Sequence, residues 1–86
     1  MTTWDEQKRR SNLTKHGVDL ALAVDFDWHA AVIEEDDSEA YGEQREKAIG
    51  RIGPILYVYI YTIRDDDDHA ISLRKATPKE HRRYSR

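Results

Sequence analysis

The chain has 86 residues, 38% of them hydrophobic, and no cysteine, which bounds it to one small domain with a modest core and excludes disulfides and thiolate metal sites. Its formal net charge of −3 argues against a uniformly basic nucleic-acid binder. The lack of cysteine fits a reducing cytoplasm, the expected location, and no secretory leader or apolar run long enough to span a bilayer is visible.

The charge is unevenly spread. Residues 1–18 carry four Lys and Arg against two acids, residues 19–73 four against fourteen, and residues 74–86 six against one. Basic ends around an acidic middle make a dipolar molecule, so either a local phosphate site or an acidic surface for a basic partner is consistent with the total.

Taken in order, Asp5 is an N-cap for a helix reaching about Lys15, and Gly17 is a natural stop. The helix is too polar for a core position, and Lys8, Asn12 and Lys15 share one of its faces. A second short helix is expected from Val18 to Asp27, with Asp19 as cap and Leu20, Ala23, Val24 and Phe26 turned inward. Trp28–Ile33 reads as a strand and Glu34–Glu39 as an acidic loop that lacks the ligand spacing and glycine of a calcium site.

Glu43–Ile52 and Ile55–Ile63 read as a hairpin around the Gly53-Pro54 turn, with Asp65–Asp68 as a further turn leading into a strand from His69 to Lys75. Alternation puts Leu56, Val58 and Ile60 on one face and Tyr57, Tyr59 and Tyr61 on the other. The expectation is that the aliphatic face meets the helices. The tyrosines would then lie on an open face with Arg45, Lys47, Arg51, Ser72 and Arg74, a surface for stacked bases and phosphates or else an ordinary half-covered sheet face. Thr77, Pro78 and Glu80 mark the start of a last helix through Tyr84, so Arg74 and Lys75 end a strand just before a helix N-terminus. That placement suits a phosphate; a solvated basic tail is the alternative.

Several segments together resemble the BrnT toxins: Trp4-Asp-Glu-Gln-Lys8, Asn12, Lys15-His-Gly-Val18, Glu43–Arg45, Ala48-Ile-Gly-Arg51 and Ile71-Ser-Leu-Arg-Lys-Ala76. The resemblance runs almost end to end, with His69 standing where the family usually has Arg and Glu46 where it usually has an aromatic residue. It implies an α+β, RelE-like fold over residues 1–86, with N-terminal helices and a C-terminal helix packed on one side of a four-stranded antiparallel sheet whose open face acts. It also implies a ribonuclease that needs no metal or other cofactor and inhibits translation. The implied partner is a BrnA-like ribbon-helix-helix antitoxin, operator DNA being reached only through that complex.

Cleavage of that kind needs cations on the phosphate and two proton transfers. Arg74 and Arg51 are the expected phosphate ligands, with Lys8, Lys15, Arg45, Lys47, Lys75 and Tyr59 along the RNA. His16, His69, His81 and Glu43 are the groups able to move a proton, Glu43 and His69 being placed in the site with the two arginines. A non-enzymatic binding module is the competing expectation.

Overall fold

A computed structural model describes residues 1–36 and 44–85. Its elements are β1 (Thr2–Trp4), α1 (Glu6–His16), a 3₁₀ helix (Leu20–Asp25), β2 (Val32–Asp36), β3 (Arg45–Ile52), β4 (Ile55–Arg64), β5 (Asp67–Lys75) and α2 (Pro78–Tyr84). The architecture is α+β, but the sheet has five strands in the order β1-β5-β4-β3-β2, and β1 runs parallel to β5. The expected four-stranded antiparallel sheet is corrected on both counts. A three-residue strand carries too little alternation to be read, and its partners, Asp68 to Ala70, lie 66 residues away.

Local chemistry sets the boundaries. Asp5 accepts from the Gln7 amide at 2.8 Å to start α1, and Gly17, at φ 69°, ends it by donating to the Leu13 carbonyl. Asp65 and Asp66 both have positive φ, 52° and 68°, as a two-residue hairpin loop of the primed type requires. Between Ile60 and Tyr61 the pairing with β5 slips by one residue, leaving Ile71 as the bulge. At α2 the Thr77 hydroxyl and the Glu80 carboxylate complete a reciprocal capping box behind Pro78.

The sheet is covered on both sides, not one. Tyr57, Tyr59 and Tyr61 form the principal core with Val18, Leu20, Ala23, Phe26, Ala48, Ala70 and Leu73, beneath the 3₁₀ helix. Ile49, Leu56 and Val58 face the other way and pack with Val32, Ile60, Ala76 and Tyr84, beneath α2. The tyrosine face is thus the buried one, which reverses the expectation. Alternation defines two faces without saying which is covered, and a phenol can enter a core when its hydroxyl is satisfied. Tyr59, with no exposed surface, does so by donating to Asp68 at 2.7 Å.

The expected Val18–Asp27 helix tightens to the 3₁₀ helix, which keeps Leu20 and Ala23 buried but leaves Val24 exposed. Trp28 is not in a strand; its ring packs edge-on against Phe26, Tyr59 and Tyr61. Gly50 has Phe26 pressed so close that a Cβ there would sit 2.6 Å from Cζ.

Helix α1 lies along the part of β5 that β1 leaves unpaired. Asn12, itself buried, donates to the carbonyls of Val18 (2.9 Å) and Leu73 (2.8 Å) and accepts from the Leu73 amide (3.1 Å). One side chain therefore satisfies both polar groups of an open strand position.

Candidate functional site

Because Ile49 pairs with Val58 and Lys47 with Ile60, the odd-numbered β3 residues Arg45, Lys47 and Arg51 lie on the side opposite the tyrosines. The β4–β5 register adds Ser72 and Arg74 to that side through Ile60 and Val58. The expected gathering of Arg45, Lys47, Arg51, Ser72 and Arg74 on one face is present, without the tyrosines.

Half of this face is closed by α2. Glu80, buried, takes both terminal nitrogens of Arg74 on its two oxygens at 2.7 and 2.8 Å and also pairs with Lys47 at 3.2 Å. The Arg74 bonds, helped by the Thr77 amide and Lys47, hold the Glu80 carboxyl well below the usual carboxylate range. Arg83 of α2 pairs with Glu34, and Arg51 lies 5.5 Å from the centre of the Tyr84 ring while donating to the Pro54 carbonyl.

The other half is a cleft of about 330 Å³ between α1 and the sheet. Lys8, Ser11, Asn12, Lys15 and His16 line it from the helix, and Asp36, Arg45, Ile60, Ile71 and Ser72 from the strands. Helical spacing puts 8, 11, 12 and 15 on one stripe, and strand alternation aims Arg45 at it. Arg45 is almost fully buried and held by Asp36 at 2.9 Å, so its charge is fixed in direction. His16 is pushed below its ordinary pKa by partial burial and by the charges of Lys15 and Arg74, which keeps its imidazole neutral at pH 7.

Three of the expected RNA-binding residues, Lys8, Lys15 and Arg45, therefore meet in one cleft, while Lys47 is drawn under α2. Lys75 pairs with Tyr57 and so belongs to the opposite side. Tyr59 is sealed in the core, so stacking of bases on its ring is not available. His69 stands on β5 opposite Thr62, its Nδ1 hydrogen-bonded to the Thr3 hydroxyl at 2.8 Å. Glu43 lies outside the described residues. Sequence reasoning missed Ser11, which the 8–11–15 spacing could have supplied, and Asp36, hidden in an acidic run taken for a loop.

The profile of the family described as "Ribonuclease toxin, BrnT, of type II toxin-antitoxin system" matches residues 4–80. This chain belongs to the BrnT toxin family. The 1.1 Å crystal structure of the Brucella abortus ribonuclease toxin BrnT is similar to it at 30% identity, covering 90% of this chain and 97% of that one, with a TM-score of 0.68. No match is found among curated protein sequences. Membership in a type II toxin–antitoxin family of ribonuclease toxins implies an RNA target and an antitoxin partner for this BrnT-family chain. No helix among its described residues is long and apolar enough to cross a membrane.

Proposed function

We propose that this toxin cleaves RNA without a metal ion, by attack of a ribose 2′-hydroxyl on the adjacent phosphate, and thereby stops translation. The observation that carries this reading is the cleft in which Lys8, Lys15 and Arg45 converge beside a neutral His16 in an otherwise acidic protein. The three cations hold successive phosphates, and the directed guanidinium of Arg45 suits the charge that grows on the phosphorus oxygens. Neutral His16 accepts the 2′-hydroxyl proton, the P–O5′ bond breaks, and the leaving O5′ takes a proton, giving a 2′,3′-cyclic phosphate end.

Arg74, whose charge reaches His16, can join the phosphate once substrate competes with Glu80. His69, oriented by Thr3, is the proposed carrier of the second proton. Arg51 and Lys47 serve the flanking RNA, and Glu43 is the alternative proton carrier. A BrnA-like ribbon-helix-helix antitoxin neutralises the toxin, and operator DNA is contacted through that complex.

The test is cleavage of single-stranded RNA in excess EDTA, followed by analysis of fragment ends. Cyclic phosphate termini are expected, with cleavage lost in Lys15→Ala and His16→Gln proteins that remain folded. Full activity in both variants, or activity abolished by EDTA, would overturn the mechanism. A second reading, an inactive copy that only binds its antitoxin, draws support from Glu80 occupying both Arg74 and Lys47. It predicts neither cleavage nor growth arrest from a protein that still forms the complex.

A further inference from the structure

The sheet has two outer edges, and they are treated differently. The β1 edge is three residues long, and beyond it α1 takes over through Asn12. The β2 edge is five residues long, is unpaired on its outer side among the described residues, and meets β3 with no slip in register. Its only safeguards are acids: residues 32–36 include Glu34, Glu35 and Asp36 but neither Lys nor Pro, and there is no bulge, so the edge discourages acidic strands and not basic ones.

The edge also displays an apolar side chain. Ile33 is 53% exposed on the tyrosine side, across Ala48 from Tyr59, over which the ring of Trp28 lies, itself 40% exposed. The segment that leads into it carries charge of one sign. Residues 19–36 contain six acids and no Lys or Arg. Asp19, Glu34 and Asp36 pair with Arg9, Arg83 and Arg45, whereas Asp25 and Glu35 are exposed.

We infer that β2 is the docking edge for the antitoxin: an extended segment of that partner adds as a sixth strand, setting an apolar side chain against Ile33 and Trp28 and a basic one against Glu35. Strand addition takes affinity from main-chain hydrogen bonds and selectivity from alternate side chains, and β2 offers both a ladder edge that no described strand pairs with and a two-residue apolar–acidic code. The acidic surroundings speed encounter with a basic segment and disfavour acidic ones. The docking edge is separate from the α1 cleft, and the inference rests on the family's antitoxin partnership, not on the proposed cleavage chemistry.

The test uses the full-length toxin and its co-expressed antitoxin. Outward-pointing amides of β2 are expected to exchange quickly in the free toxin and slowly in the complex. Ile33→Asp and Glu35→Lys, both at exposed positions, are expected to weaken association at least about tenfold, while Leu13→Asp, on the exposed face of α1, leaves it unchanged. Unaltered affinity of the two β2 variants, or β2 amides that exchange equally fast in the complex, would overturn the docking assignment while leaving the partnership intact. Failure of the unaltered toxin to bind the antitoxin at all would overturn the partnership itself, and the docking edge with it.

Discussion

At the scale of single residues, Asn12 and His16 separate stability from chemistry on one helix. Asn12→Ala leaves the Leu73 amide and two carbonyls without partners in a buried setting, an expected loss of about 3 kcal/mol by chemical denaturation. His16→Gln should cost far less stability and act on turnover. With His16 below its ordinary value and neutral as the proposed proton acceptor, kcat/KM for RNA cleavage is expected to hold as pH falls through 6.5 and to decline only below it. A pH–rate profile of the native protein checks this, and the acid limb should vanish in His16→Gln. Gly50→Ala must push a methyl group into Phe26, and a destabilisation of about 1–3 kcal/mol is expected, measured by thermal or urea unfolding.

At the scale of elements, α2 is a seven-residue helix whose position depends on Glu80. Seven residues are too few for a helix to persist unaided, so the Arg74 and Lys47 contacts and the capping box do most of the holding. Because the folded pKa of Glu80 is depressed, its contribution is present above the unfolded value near 4.3 and is lost as pH falls below it toward the folded value. Acid titration of the native protein should therefore loosen α2 below about pH 4. Glu80→Gln, expected to cost about 2 kcal/mol after allowance for partners that are partly exposed, should flatten that part of the stability–pH curve.

The signals for α2 were legible because Thr77, Pro78 and Glu80 act within one turn. The caps of α1 and the hairpin turns were legible for the same reason. The covering of the two sheet faces was not, since it depends on whether Tyr59 finds Asp68 and whether Phe26 finds the hollow at Gly50, both consequences of tertiary contact. Of the candidate site, the Lys8–Lys15 stripe and the side shared by Arg45, Lys47, Arg51 and Arg74 followed from periodicity. That Glu80 closes over two of these cations did not, because capping and ion pairing use the same carboxylate and only the first has a sequence spacing.

At the scale of the whole molecule, a net charge of −3 coexists with a cleft lined by Lys8, Lys15 and Arg45. If these three hold phosphates, the affinity for single-stranded RNA should fall with salt at a log–log slope of about −2. Lys15→Ala should reduce that slope by about 0.7 without changing sequence preference, a result that filter binding across a salt series would show. A slope near zero would mean that RNA does not enter this cleft as an electrolyte.

The pairing of β1 with residues 68–70, and of Asn12 with Leu73, has a bearing on synthesis. Residues 2–16 are made well before their seat on β5, which exists only once residues 68–73 have been added, so the usual head-first order of maturation is inverted. The cationic stripe of α1 waits on an unfinished sheet during elongation, and the cleft that it lines with Ile71 and Ser72 forms only after β5 has been added. On the proposed reading of that cleft, a nascent copy is expected to leave its own message uncut until β5 has been added.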